Sequence, residues 1–455
     1  MFAYDPTTAE AVFDYCRARL SEDPVPLDQP VPRAMLEEVL AGFITAGGRD
    51  PVATLSTFTD KVVRSVISVD SPRFLAFVPA APSKAALLFD MVVSASSLQG
   101  TSWLEAAGAI IAENQALSFL AQAAGMPAGA GGCFVSGGSA ANLSALVVAR
   151  DVGRARTGGE EVRVAVSADA HSSVSKALHV IGTPAFVVET EDHRLTGDAL
   201  EAALRTDKQS HQVVAVVASA GTTNAGIVDD LEGLGEVAAR RGMWLHVDGA
   251  YGGAAMLSRN GRVREMFEGS GQAASFVVDP HKWLFAPFDC AALLYRDPSL
   301  AKSVHTQRAA YLDPMHTGAG DEWNPSDYAY HLTRRARGLP FWYSLVVNGW
   351  GAYSDAVDAA LSLAQATGAL IKELPYLELV REPELSVVLF RRRGWGAQDY
   401  WAWSDKLLRD QVAFVTPTTW EGETVARLIF LHPATTLGIA EEVLASMAPA
   451  RRASS

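Results

Sequence analysis

Cysteine is scarce in this sequence. Three residues, Cys16, Cys133 and Cys290, lie far apart in a chain of 455. So sparse and odd a set argues against a disulfide framework, offers no CxxC or Cys/His spacing for zinc or another metal, and suits a reduced, cytoplasmic compartment. Positive charge is also in short supply: Lys and Arg number 38 against 51 Asp and Glu, for a formal net charge of −13. No basic footprint dominates, so nucleic acid is not an expected partner, and the acidic balance serves mainly solubility. The apolar runs, Val213–Ala220 among them, are too short to span a bilayer, so no membrane partner is expected either. The N-terminal MFAYDPTTAE lacks a basic region ahead of an apolar core and does not read as a signal peptide. Absent too are a GxGxxG after a first strand and a GxxxxGK[ST], which leaves dinucleotide and P-loop readings without support.

What is present is enough apolar sequence for a large core. Hydrophobic residues make up 49% and charged residues 20%, and the length suggests two or three structural units. The first 70 or so residues read as helices over Thr8–Leu20, Pro32–Ala46 and Pro51–Ile67, with the proline-rich SEDPVPLDQPVP between the first two. They make a poor core alone and are expected to pack on something else, a second subunit being the candidate. A long helix is predicted over Glu105–Ala124. Short apolar strands then alternate with helices: Cys133–Val135, Val162–Ser167, Ala185–Val188, Val213–Ser219, Trp244–Val247, Ser275–Val278 and Ala291–Tyr295. That alternation predicts an α/β fold with a mainly parallel sheet flanked by helices, whose ligands sit beyond the carboxyl ends of the strands. Asp313–Asp327 is a long run of turn formers that suits an active-site cover. A helical stretch follows over Leu339–Leu361. Strands at Leu385–Phe390 and Arg427–Phe430 and a helix at Tyr400–Gln411 predict a small α+β C-terminal domain. The expected division is a helical segment over 1–78, a large domain over 79–345 and a small one over 346–455.

The polar signals fall at the strand ends. Lys282, in SFVVDPHKW, has an amine that can condense with an aldehyde once burial or a neighbouring charge lowers its pKa; a lone strand-end lysine is otherwise a surface residue. His281 beside it suits a phosphate donor, a cofactor contact or a packed histidine. Asp248 ends the apolar strand WLHVD. A buried carboxylate needs a partner, and a protonated pyridine nitrogen or the following turn would each supply one. Gly137, Gly138 and Ser139, in CFVSGGSAANL, precede a helix predicted over Ala140–Ala149, whose N-terminus favours a phosphate. His171, in DAHSS, suits a residue lying on a cofactor ring and meeting a substrate carboxylate, or a structural histidine. AGTTN adds the hydroxyls of Thr222 and Thr223. Together these are the parts of a site for pyridoxal 5'-phosphate (PLP).

With these residues in view, the sequence resembles the group II PLP-dependent decarboxylases, the family of aromatic L-amino acid decarboxylase, within fold-type I. The resemblance runs from about Ser71 to beyond Arg335 and weakly through the C-terminal domain. SPRFLAFVP, VSGGSAANL, DAHSS, GTTNAG, LHVDGAYGG, DPHKWLFAPFDC and LTRRARGL carry it, in kind and order. It implies that Lys282 binds the cofactor aldehyde, that Asp248 partners the pyridine nitrogen, that His171 stacks and that Thr223 contacts the ring. Gly138, Ser139, Asp279 and His281 then resemble phosphate contacts. Many relatives carry asparagine where this chain has Asp279; a carboxylate repels a phosphate, which leaves a contact through the backbone as the alternative. Tyr311, 29 residues after Lys282, resembles a mobile-loop tyrosine that protonates the substrate carbon after CO2 leaves; His316 is the other candidate.

The expected substrate pocket takes in Phe77, Pro79, Ala80 and Trp103; Phe74, Phe77 and Trp103 keep a partly aromatic wall, while Ala80, Gln99 and Thr101 alter its shape and polarity. The resemblance implies a homodimer with loops crossing between subunits, and decarboxylation of an aromatic or other neutral L-amino acid. Other PLP reactions on the same scaffold, such as aldehyde synthase, carbon–carbon lyase or aminotransferase chemistry, compete with that reading. So does a catalytically silent binding subunit, which intact Lys282, Asp248 and His171 argue against.

Overall fold

Short apolar segments recur between helices from Gly131 onward, and in the computed structural model of the chain they form one seven-stranded sheet. The structure describes residues 2–78, 81–159, 161–316 and 322–449. The strands are β1 (Gly131–Val135), β2 (Arg163–Ser167), β3 (Ala185–Val188), β4 (Val213–Ser219), β5 (Trp244–Asp248), β6 (Ser275–Val278) and β7 (Ala291–Tyr295). Their order is β1-β7-β6-β5-β4-β2-β3. Neighbours from β6 through β5, β4 and β2 to β3 are parallel. β7 alone runs antiparallel, between β1 and β6. β1, β2, β4, β5 and β6 therefore bring their carboxyl ends to one edge. β4, VVAVVAS, is buried along its whole length, as expected of a strand covered on both faces.

The helix Gly138–Thr157 follows β1 directly and stops at Gly158, whose φ of 78° closes it with a left-handed cap. Its buried face carries Ala141, Ala145, Leu146, Val148 and Ala149 onto the sheet. Asn142 and Ser144 are buried polar residues of the same helix.

Two compact units divide the chain. One comprises Ala80–Gln365 with Glu382–Val388 and holds the large sheet; the other comprises Met1–Pro79, Ala366–Arg381 and Leu389–Ser455. The N-terminal helices thus share a unit with most of the C-terminal chain, where the sequence suggested separate segments. Named contacts explain it. Arg73 donates to the Val412 carbonyl at 2.7 Å and pairs with Glu442 at 2.7 Å. Leu27, Phe74 and Ala76 pack with Phe414.

The helices Pro6–Ser21 and Pro51–Thr57 each begin on an aspartate cap followed by proline. The second helix covers Arg33–Leu40, shorter than the run expected to residue 46; the left-handed Gly42 (φ 63°) follows it. Four further strands, β8 (Leu377–Leu379), β9 (Val387–Arg392), β10 (Thr418–Trp420) and β11 (Glu423–Ile429), form a second sheet ordered β10-β11-β9-β8. A helix over Ala397–Arg409 stands where one was predicted. Among the described residues no helix is long and apolar enough to cross a membrane.

Candidate active site

The loops after β1, β2, β4, β5 and β6 enclose a cavity of about 230 Å³. Topology puts it there: parallel strands end together, and polar groups collect where the backbone leaves the ladder. Among the described residues none that follows β7 lines the cavity; β7 ends on the opposite edge.

One end of the cavity is a cradle. Gly138 opens its helix, and a Cβ there would stand 2.9 Å from Ala250 Cβ and 3.1 Å from Asp279 Oδ2. Only glycine allows the backbone this close. The first N–H groups of the helix lack intrahelical partners and carry its positive end. The Gly138 N–H donates to Asp279 Oδ2 at 3.2 Å. Lys282 Nζ lies 2.9 Å from the same oxygen, and His281 Nε2 lies 3.7 Å from it. His281 Nδ1 donates to the Cys290 carbonyl at 2.7 Å; burial pushes its imidazolium below the ordinary range, against the attraction of Asp279. Asp279 Oδ1 is buried with no hydrogen-bond partner among the described residues.

Asp248 occupies the floor. Its Oδ2 accepts from Asn142 Nδ2 at 2.8 Å and its Oδ1 from the Ala250 N–H at 3.1 Å. Both donors are neutral, and among the described residues no cation pairs with this nearly buried carboxylate. At the β2 side, His171 caps the helix Ser172–Val180 by accepting the Ser173 N–H on Nδ1 at 3.2 Å. At the end of β4, Gly221 takes a φ of 103°, and a Cβ there would meet Gly252 Cα at 2.9 Å. Thr222 Oγ1 accepts from the Ile227 N–H and closes that loop, while Thr223 lines the cavity.

The structure therefore brings Gly137, Gly138, Ser139, His171, Thr223, Asp248, Asp279, His281 and Lys282 to one cavity. Tyr311 is 74% exposed on a turn and does not line it. Trp103 does not line it either; it starts a helix, with its N–H donating to Asn324 Oδ1 at 2.8 Å. Phe77 belongs to the other unit, where it is 60% exposed beside Phe74 and Phe414. Pro79, Ala80, the side chain of His316 and residues 317–321 lie outside the described residues. Sequence reasoning missed Asn142 and Ser173, both in the lining. The spacing held a signal for the first: Asn142 is four residues after Gly138, on the same helical face.

A cradle for an anion, a carboxylate without a cation and a half-buried amine suit a small anionic aldehyde with a basic ring nitrogen. PLP is such a group, and the residues fit it, with Asp279 the one carboxylate in the anion's end. The sequence model for the pyridoxal-dependent decarboxylase conserved domain matches residues 50–393. Aromatic-L-amino-acid decarboxylase of Bacillus atrophaeus is 34% identical over 371 residues, 80% of this chain and 77% of that protein. L-2,4-diaminobutyrate decarboxylase of Rhizobium meliloti (strain 1021) is 30% identical over 410 residues, 87% of this chain and 81% of that protein. Among solved structures, Oryza sativa TDC with PLP and tryptamine matches with a TM-score of 0.90 at 24% identity, covering 98% of this chain and 99% of that one. The chain belongs to the pyridoxal-dependent decarboxylase family. It is a PLP-dependent carboxy-lyase of amino acids.

Proposed function

We propose that Lys282 carries the cofactor, that Asp248 partners its ring nitrogen, and that the substrate is an aromatic or other neutral L-amino acid. The observation that carries this is the meeting of Lys282, Asp248 and the Gly138 helix N-terminus in one cavity. Gly137, Gly138 and Ser139 would hold the phosphate, His281 stands beside them, and His171 and Thr223 would flank the ring. PLP supplies an aldehyde that captures the substrate amine and a cationic ring that takes up the electrons of the breaking bond.

The protein's own residues direct the rest. Asp248 holds a proton on the nitrogen beside it. His171 holds the substrate carboxylate so that its bond to Cα is the one broken. Tyr311 gives its phenolic proton to Cα after CO2 leaves, and the segment following it excludes water. Lys282 would hold the cofactor aldehyde whenever no substrate amine takes its place.

Neutral substrates are favoured by the lining. Among the described residues it contains no arginine, and Lys282 is its single lysine, so no basic clamp awaits a second carboxylate. The relatives named above, for aromatic amino acids and for diaminobutyrate, leave a choice that a panel of amino acids assayed for CO2 release would make. Turnover of glutamate or aspartate, with none of tyrosine, tryptophan, phenylalanine or valine, would refute the proposed class. Borohydride reduction and peptide mapping should label Lys282; a label on another lysine would refute the site.

A homodimer completes the proposal. Leu88, Val92, Leu104 and Ile111 are exposed in one unit, as are Val346, Val347 and Trp350 near the bend at Gly349; Phe13, Met35, Leu40 and Phe58 are exposed in the other. Apolar surface on this scale favours association, and an exposed Tyr311 suits a loop that serves a partner's cavity. A fully active monomer in sedimentation would exclude it. Three free thiols, two of them buried, support a cytoplasmic setting.

A further inference from the structure

A line of hydrogen bonds runs from the cavity floor into the sheet. Asn142 Nδ2 stands 2.8 Å from Asp248 Oδ2 and 2.9 Å from Ser173 Oγ. Asn142 Oδ1 stands 2.9 Å from His246 Nε2, and His246 Nδ1 stands 2.7 Å from Ser275 Oγ. Trp244 Nε1 lies 2.8 Å from the same serine oxygen. Toward the cavity, Ser173 Oγ lies 2.8 Å from His171 Nδ1. All of these residues except His171 are buried.

The two ends of the line have no freedom of direction. An indole N–H only donates, and a carboxylate only accepts. Ser275 Oγ therefore accepts from Trp244, and Asn142 turns its amide nitrogen to Asp248. That leaves Asn142 Oδ1 facing His246, so His246 Nε2 carries a proton. Burial keeps His246 neutral, pushing its imidazolium down to about 4 against the attraction of Asp248. Its Nδ1 is then bare and accepts the Ser275 hydroxyl proton. The second amide proton of Asn142 goes to Ser173 Oγ. The Ser173 hydroxyl has one proton to give, and His171 Nδ1 is beside it. The same nitrogen already accepts the Ser173 backbone N–H at 3.2 Å.

We infer that Asn142 and Ser173 are positioning residues that hold neutral His171 in its Nε2–H tautomer, leaving that proton for the cavity. His171 then meets the substrate as a hydrogen-bond donor, which recognises a carboxylate, and not as a base. The inference rests on the proposed role of His171 as the carboxylate's partner. It adds what sets that role: a bond direction imposed by the Asp248 carboxylate and passed through Asn142 and Ser173.

The test begins with the holoenzyme labelled with 15N-histidine, the His171 signals being assigned by their loss in His171→Gln. A pyridine-type Nδ1 and a pyrrole-type Nε2 are expected; a pyrrole-type Nδ1 overturns the inference. This readout needs no turnover, so it is separate from any failure of the decarboxylase reading, which would show as no CO2 from any amino acid. The second arm uses the amino acid that is turned over, and its amine as a competitive inhibitor. Ser173→Ala should raise KM for the amino acid roughly tenfold, the scale of one hydrogen bond to a charged group. It should leave the amine's inhibition constant unchanged, and Ser173→Thr should restore the parent KM. Equal weakening of both ligands, or no change in either, overturns the inference.

Discussion

β5 and β6 lie side by side, and an aspartate meets the cavity at the last residue of β5 and just after β6, yet the two are treated differently. Asp248 has both oxygens occupied by neutral N–H donors. Asp279 gives one oxygen to the Gly138 N–H and to Lys282, and its other oxygen is buried without a partner among the described residues. The first arrangement is complete but for a countercharge. The second is a carboxylate using donors that an incoming phosphate would need. The floor of the cavity is set for its ligand in advance, whereas the cradle must exchange an internal anion for an external one.

The harshest way to break the comparison is to remove the amine that Asp279 holds. Lys282→Ala should lose the covalent cofactor band and all measurable CO2 release. Asp248→Asn keeps the shape of the floor but removes the charge proposed to sustain the ring's cation; with saturating PLP, kcat should fall by roughly 10²–10³, the scale of a preorganised electrostatic contact. A loss of only a few-fold would mean that the floor's charge does not matter. Tyr311→Phe tests whether the last proton comes from outside the cavity lining. CO2 release should persist while amine yield falls by roughly 10², with aldehyde and ammonia rising in air, and His316→Ala should do far less. Amine at the parent rate from Tyr311→Phe, with none from His316→Ala, would reverse the assignment.

Asp279→Asn isolates the cradle. It keeps an acceptor for Gly138 and removes the charge that opposes phosphate; like charges brought together at a desolvated site are strongly unfavourable. Affinity for PLP and for inorganic phosphate, by fluorescence titration, should tighten about tenfold. Unchanged or weaker affinity would show that Asp279 does not compete with the anion.

The wired half of the site was the harder one to read from sequence. Lys282, Asp248 and Gly138 announce themselves because a charged or glycine residue at the end of an apolar strand conflicts with its surroundings, and such conflicts are visible one residue at a time. The strands were legible for the same reason: β4 is an apolar run along nearly its whole length, which only a two-sided sheet can bury. Asn142, Ser173 and His246 gave no such signal. Their meaning lies in contacts with residues up to 106 positions away, Asn142 to Asp248 being the longest, and a polar residue within a helix or strand looks ordinary until its partners are placed. The union of the N-terminal helices with the C-terminal chain was hidden likewise, since it depends on Arg73 reaching Val412 and Glu442.

Asp229 offers the gentlest test, away from the cavity. It is nearly fully buried, like the other two aspartates, and both its oxygens are occupied: Oδ2 accepts from the Ser219 N–H at the end of β4 at 2.7 Å, and Oδ1 from the Leu195 N–H at 2.8 Å. Both bonds favour the charged form, but burial prevails and lifts its carboxyl to about 7. An unfolded aspartate titrates near about 3.9. Between those values the folded chain holds a proton that the unfolded chain has lost. The contribution of Asp229 to stability is therefore full below about 4, declines as pH rises toward 7 and is constant above that. Asp229→Asn carries no charge at any pH and also gives up one N–H bond. Its Tm should be a few degrees lower at pH 4, with the decline between pH 4 and 7 shallower than in the parent, by calorimetry across that range. If the two slopes coincide, the two backbone donors and the attraction of Arg194 outweigh burial and Asp229 is ionised throughout; full hydrogen bonding with one cation nearby would then be enough to keep a buried carboxylate charged in this fold.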